Sequence, residues 1–405
     1  MTHDFISLAI IAAVAALAPL IANLIPKKPV PETVLLLLGG AILGPHLANV
    51  IWLDESVALL SDLGCGMLFL LAGYEINPKT ITGREGKRGL ATWAVSLALA
   101  FVAVHAFTGV QARGLDGLAV TIALTTTAIG ALMPILKERG LMDTRVGSSI
   151  LSYGTWGELG PVIAMALLLS TRATWLTVVI LLGFVVVAVL VARFGHRTAR
   201  REGRIRDILF AGRDTTSQTF VRLTVALLIL LVAISSLFDL DIVLGAFAAG
   251  FILRYIIPED DEVLEKKLNA IGYGFLIPLF FVVSGAKIDL SAVAAQPGLL
   301  VGFIAMLVLI RALPIFVSMA RDKDPEVDAM GARNHATVAV YCTTALPLIV
   351  AVTSVAVDGG AMDASTASVF VSAGAVTMLL MPLIASLTYR AANTRAVKWL
   401  EKEGR

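Results

Sequence analysis

The chain has 405 residues, of which 58% are hydrophobic and only 15% charged, and its mean hydropathy is +0.87. A soluble domain is roughly 45–50% apolar and about 25% charged, so a core of this size cannot hide the excess and lipid has to cover it. A soluble globular protein is therefore excluded, and the formal net charge of +2 gives no reason to expect nucleic acid as a partner.

Apolar runs long enough to cross ~30 Å of hydrocarbon occur near 5–25, 33–52, 57–76, 89–110, 116–136, 147–170, 174–192, 219–237, 240–256, 271–286, 298–320, 334–355 and 366–389. These thirteen predicted spans make an all-α polytopic membrane protein. The first run starts MTHDF, without a basic leader, and reads as a retained span. The ninth and tenth runs are the shortest and rich in glycine. Just before the tenth, PEDDEVLEKKLNAI (258–271) reads as a short amphipathic helix lying at the inner surface. Cys65 and Cys342 fall inside apolar runs, which points to packing thiols and not to a disulfide framework.

The basic residues fall in alternate loops. One set holds Lys27 and Lys28, the Lys79–Arg88 group, Lys137 to Arg145, the arginine-rich stretch from Arg193 to Arg222, Arg254 with Lys266 and Lys267, Arg321 to Arg333, and the tail. The other set holds Arg113, Arg172 and Lys287, and Arg311 lies inside a span. The positive-inside rule then places the N-terminus outside and the C-terminus in the cytoplasm of a cell (cytoplasmic) membrane. The stretch 193–218 reads as a topology signal able to touch anionic headgroups, with a regulatory docking surface as the other reading.

Three pairs of segments resemble each other at a nearly constant offset. VLLLLGGAILGPHL (34–47) pairs with DIVLGAFAAGFIL (241–253), and GCGMLFLLAGYEI (64–76) with GYGFLIPLFFVVSGAKIDL (272–290). ALTTTAIGALMPIL (123–136) pairs with AVYCTTALPLIV (339–350). Gly40 and Gly250 are 210 apart, Gly73 and Gly285 are 212 apart, and Thr127 and Thr344 are 217 apart. Each pair joins an even to an odd span. Spans 1–6 and 8–13 thus read as two inverted six-helix repeats, an architecture that puts a transport site at the midplane.

The fifth and twelfth spans carry helix-weakening residues: Thr125, Thr126, Thr127 and Gly130 in one, Thr343, Thr344 and Pro347 in the other. Pro134 and Pro347 should free the carbonyls of Gly130 and Thr343. Breaks at membrane depth are tolerated where they line a cavity or are buried in protein, so crossed broken helices are expected here. Glu158, in SYGTWGELGPV (152–162), lies thirteen residues from Arg145 and fourteen from Arg172, or ~20 Å from either flank. Arg311 is ten residues from Arg321. Charges at such depth cost at least ~2.5–3.5 kcal/mol, so each needs a partner or a wet cavity. A structural Glu158–Arg311 ion pair is one reading. The other is an ion site, since Pro161 should leave the Gly157 carbonyl without its helical donor beside the carboxylate. Carboxylate, carbonyls and threonine hydroxyls suit a small hard cation, here a monovalent one at Glu158. The same carboxylate can hold a proton.

At these residues the chain resembles the monovalent cation:proton antiporter-2 family, the transmembrane domain of Kef-type and sodium–proton exchangers. The likeness covers nearly all 405 residues and is best in GCGMLFLLAGYEI, FLIPLFFVVSGAKIDL and LTTTAIGALMPILKERG. It implies a homodimer, with a dimerisation part at about 1–76 and 219–290, a moving core at about 88–170 and 298–390, and a linker helix at about 174–192. It matches Glu158 to the family's ion-binding aspartate, Gly157 to the residue before it, Thr127 to the span-5 threonine and Arg311 to the basic residue of span 11. Two departures stand out: Gly157-Glu158 where relatives carry Asp-Asp, Asn-Asp or Gln-Asp, and CTTALP in place of an Arg-Gly-Glu-type motif. The nucleotide-binding domain of Kef-type proteins is absent from the given sequence.

The resulting expectation is secondary antiport of Na+ or K+ against H+, electroneutral, with Glu158 alternately holding cation and proton and Arg311 as charge partner. No cofactor, no nucleic acid and no enzymatic activity are expected, and a separate cytoplasmic regulatory subunit is an open partner. The alternatives are a channel-like or sensory protein of the same fold, or a transporter of an anionic or organic substrate bound at Arg311.

Overall fold

The computed structural model describes residues 2–24, 30–76, 83–106, 115–168, 218–238, 240–257 and 262–390, with scattered positions between 179 and 193. All regular structure among them is helical. In chain order the helices are α1 (Thr2–Leu24), α2 (Glu32–Leu43), α3 (Glu55–Glu75), α4 (Arg84–Ala106), α5 (Leu115–Ala123), α6 (Ile129–Glu138), α7 (Arg145–Leu168), α8 (Thr219–Leu237) and α9 (Ile242–Ile256). They continue with α10 (Glu262–Ile271), α11 (Ile277–Ala286), α12 (Leu290–Ala295), α13 (Pro297–Leu307), α14 (Leu313–Ala320), α15 (Pro325–Asp328), α16 (Gly331–Tyr341), α17 (Leu346–Asp358) and α18 (Ala364–Thr388). Most of the seventh predicted span and of the arginine-rich stretch, the loops holding Lys27, Lys28 and Lys79, and the tail lie outside the described residues.

Eight described segments are long and apolar enough to cross a membrane, and α2 and α9 are shorter apolar helices. Their outer faces carry large apolar residues, such as Phe5 and Leu24 on α1 and Leu230 on α8, as lipid-facing helices do. Several starts are legible from aspartates that cap orphan amides: Asp54 accepts from Val57 N, Asp241 from Val243 N and Asp363 from Thr366 N.

The chain divides into two compact units. The first comprises Met1–Ile21, Leu35–Asn77 and Met165–Lys287. In it α3, buried from Gly64 to Tyr74, packs against both α9 and α11. Glycines permit that approach. A methyl on Gly40 would strike the carbonyl of Val282, and one on Gly285 would strike that of Leu37. One on Gly73 would strike the carbonyl of Phe247, and one on Gly250 that of Leu70. In all four cases the carbonyl lies three residues before the opposing glycine, so α2–α11 and α3–α9 cross on one pattern.

The amphipathic segment before the tenth span is not a separate helix. α10 runs through a π-turn, Gly272–Leu276, directly into α11. A second π-turn, Val308–Ala312, joins α13 to α14. Each is followed by a proline, Pro278 or Pro314, at the start of the next helix. Proline has no N–H for the carbonyl four residues back, and widening the turn is one way the helix accommodates that loss.

The second unit comprises Ala22–Val34, Pro78–Ala164 and Ile288–Arg405. Its core gathers Leu132 and Leu136 of α6, Ile150 and Tyr153 of α7, Ile315 and Met319 of α14, and Val338 and Tyr341 of α16. Cys342 joins this core, and Cys65 is buried in the first unit; both thiols are free. Asn334 of α16 ties down the end of α18: its Nδ2 donates to the Arg390 carbonyl at 3.1 Å and its Oδ1 accepts from Arg390 N at 2.9 Å.

A candidate ion site where two broken helices meet

The fifth and twelfth runs are each interrupted by a short non-helical segment, between α5 and α6 and between α16 and α17. Both start with threonines that turn back on the helix they end. Thr125 donates to Ile122 O at 2.8 Å, Thr126 to Ala123 O at 2.7 Å and Thr343 to Val340 O at 2.7 Å. These hydroxyls satisfy orphan carbonyls of the first half-helices. Gly130 and Pro347, expected within the breaks, instead sit in the first turns of α6 and α17. Proline there forfeits only an amide that a helix start leaves unbonded anyway. α6 likewise runs through Pro134, so that residue is not what breaks the fifth run.

The two breaks are joined to each other and to α7. Ala128 N donates to Thr344 O at 2.8 Å, and the Thr127 hydroxyl donates to Cys342 O at 2.5 Å. Thr127 N donates to Gly157 O at 2.8 Å. The carbonyl that Pro161 deprives of its helical donor is therefore engaged by the crossing, with only its second lone pair left for an ion.

Arg311 binds this arrangement together. It is wholly buried, inside the second π-turn. Its Nε donates to Thr127 Oγ1 at 3.0 Å and its Nη2 to the Tyr153 carbonyl of α7 at 2.7 Å. Both acceptors are neutral oxygens. Among the described residues Nη1 has no acceptor, and the Thr344 hydroxyl, also fully buried, has no partner. Gly157 is what makes room, because a Cβ there would meet Arg311 Nη2 and lie 2.5 Å from Thr127 Oγ1. Glu158 is 4% exposed in the interior of α7, next to the residue whose carbonyl holds the crossing.

Toward the N-terminal end of α7 a cleft is lined by Glu85, Arg88, Ser149, Ser152, Tyr153 and Asp322, among others. Arg145 pairs with Glu85 and Arg88 with Asp322, and Ser152 Oγ donates to Glu85 at 3.0 Å. The Tyr153 hydroxyl shares a hydrogen with Ser318 Oγ at 3.0 Å. Sequence reasoning missed Tyr153 and Cys342 as site residues. Each contributes a backbone carbonyl, and side-chain identity carries no sign of that. No group of three or more His, Cys, Asp or Glu able to hold a metal is found among the described residues.

Comparison with known proteins gives a consistent result. The family described as sodium/hydrogen exchanger, transmembrane, matches residues 10–390. The chain is 27% identical to the probable Na(+)/H(+) antiporter 3 of Methanocaldococcus jannaschii over 286 residues, 68% of this chain and 70% of that protein. It is 28% identical to the putative Na(+)/H(+) antiporter YjbQ of Bacillus subtilis over 72% of this chain and 48% of YjbQ. It is 26% identical to the glutathione-regulated potassium-efflux system protein KefC of Escherichia coli over 68% of this chain and 45% of KefC. The matched part thus spans about half the length of the last two. Among solved structures, the sodium proton antiporter MjNhaP1 of M. jannaschii at pH 8 superposes with a TM-score of 0.63, at 16% identity, over 95% of this chain and 97% of that one.

Proposed function

Because the chain belongs to the sodium/hydrogen exchanger transmembrane family, we propose that this multi-pass membrane protein exchanges a monovalent cation, Na+ or K+, for H+. Glu158 is the group that holds the one or the other. The observation that supports this reading is a buried carboxylate one residue from the Gly157 carbonyl, at a helix crossing where the Gly157, Cys342 and Thr344 carbonyls all accept from Thr127 or Ala128. Sodium and potassium favour oxygen ligands, and a buried carboxylate that gives up one cation is neutralised most simply by a proton. Arg311 is a fixed charge that organises the crossing through Thr127 and Tyr153.

The second unit is the transporting core in this reading and the first is the dimerisation part of a homodimer. The shared glycine pattern of α2–α11 and α3–α9 supports an inverted repeat. The membrane is the cell membrane, with the N-terminus outside. An anionic substrate at Arg311 is the second reading, favoured by the Nη1 donor that no described residue accepts.

The test is a proteoliposome assay with a pH dye inside, adding chloride salts of Na+, K+ and Li+ and then sodium salts of different anions. Antiport predicts alkalinisation that follows the cation and ignores the anion. A response that follows the anion would transfer the site to Arg311.

A further inference from the structure

Tyr153 of α7 grips the α13–α14 segment at two points, with the two ends of one residue. Its carbonyl accepts from Arg311 Nη2 at 2.7 Å, and its hydroxyl shares a hydrogen with Ser318 Oγ at 3.0 Å. Arg311 lies in the π-turn, and Ser318 lies on α14, which continues directly from that turn. The two are seven residues, ~10 Å, apart along the helix. The contacts therefore close a ring that runs from the Tyr153 carbonyl through Arg311, α14 and Ser318 to the Tyr153 hydroxyl.

This ring meets the helix crossing on one face of α7. Tyr153 and Gly157 are four residues apart and Gly154 and Gly157 three, spacings that share a helix face. A Cβ on Gly157 would meet Arg311 Nη2 and Thr127, and one on Gly154 would meet Ile129 and lie 3.4 Å from Thr127 Cγ2. Arg311 donates through Nε to Thr127 Oγ1, whose own hydrogen goes to Cys342 O. From Ser318 to the crossing every link is thus a hydrogen bond or a helix. Tyr153 packs in one core with Ile315 and Met319 of α14, a place phenylalanine would fill as well. The hydroxyl adds one directed bond, to the helix that carries Arg311. A guanidinium on a long flexible stem takes its aim from its acceptors, and Nη1 has none among the described residues.

We propose that Tyr153 and Ser318 are positioning residues, whose hydrogen bond fixes α14 against α7 and so holds the Arg311 guanidinium on Thr127. A crossing that is in order only part of the time binds its ion with an apparent affinity reduced by that fraction. The consequence for transport rests on the antiport reading; the aiming of Arg311 does not.

The test follows both. Protein labelled with 15N-arginine is held in lipid nanodiscs, and deuterium exchange of the Arg311 Nε–H is followed by NMR. The resonance is assigned by its loss in Arg311→Lys. Tyr153→Phe and Ser318→Ala should each speed that exchange about three- to tenfold, the range one hydrogen bond supplies. The double variant should exchange no faster than either single one, because both remove the same bond. Ser318→Thr keeps a hydroxyl and should retain the wild-type rate. Asn334→Ala, which loosens another part of the same unit, should also leave it unchanged. Unchanged exchange in Tyr153→Phe and Ser318→Ala, or additive effects in the double variant, would overturn the proposal whatever the protein transports.

In proteoliposomes the half-saturating cation concentration should rise by the same factor in Tyr153→Phe and Ser318→Ala, with the maximal rate of proton movement little changed. Wild-type cation saturation alongside faster exchange would overturn the proposal. If the wild type moves no protons with any cation but the exchange responds as expected, the antiport reading fails and the positioning of Arg311 stands.

Discussion

Glu158 and Gly157 adjoin in sequence, one bearing the charge and the other leaving the space beside Arg311 and Thr127. Glu158→Gln removes the only group in this proposal that can alternate between cation and proton. Cation-dependent proton flux should fall to background while the variant still elutes as folded protein; near wild-type exchange would end the assignment. Glu158→Asp shortens the arm by one methylene, and the readout is the ratio of Na+ to K+ rates. At Gly157 the question is space. Any side chain there meets Arg311 and Thr127, so Gly157→Asn does not restore a familiar pair at no cost. It should destabilise by about 1–3 kcal/mol, read as a lower unfolding temperature. The loss should shrink when Arg311→Lys is combined with it, because a lysine has no Nη2 to be struck. Thr127→Val removes the acceptor of a buried guanidinium N–H, again at about 1–3 kcal/mol, and Thr127→Ser should recover most of that.

Among the elements, the glycine crossings and the open glycines make a matched contrast. An added methyl at Gly250 runs into the Leu70 carbonyl, a backbone atom that cannot swing aside. Gly250→Ala should cost about 1–3 kcal/mol or more. Nothing lies within 4 Å of a Cβ placed on Gly302 of α13. Gly302→Ala should therefore leave stability unchanged or raise it by about 0.5–1 kcal/mol, the helix preference of alanine over glycine. Thermal stability of the two variants in one detergent compares them directly. Asn334→Ala removes both hydrogen bonds to Arg390, and amide hydrogen exchange should rise over the last turn of α18 while α16 keeps its protection.

For the whole molecule the prediction concerns charge. A guanidinium keeps its proton at any working pH, and Gly157 contributes no second carboxylate beside Glu158. One carboxylate that carries either one monovalent cation or one proton crosses the membrane with the same net charge both ways. Exchange should then be electroneutral and one-for-one. An imposed potential of 100 mV, worth ~2.3 kcal/mol per elementary charge, should leave the reversal point where the ion gradients set it. A shift of the reversal point with voltage would require a second titrating site.

What the sequence determined by itself was the material and its periodicity. Hydropathy is additive along a segment, so the excess of apolar residues and the spans of α3, α8 and α18 are local facts. The two breaks were legible too, because threonine runs weaken a helix wherever they stand. Their limits were not: Gly130, Pro134 and Pro347 are tolerated inside helices, and only the opposite half-helix decides which amides go unbonded. Tertiary structure alone decided that the Gly157 carbonyl serves Thr127, that Arg311 reaches Tyr153 O through a π-turn, and that α10 runs on into α11. The physical reason is common to all three. Each depends on a backbone group, which every residue possesses, meeting a partner from a distant part of the chain, and no residue letter records where a carbonyl will be needed.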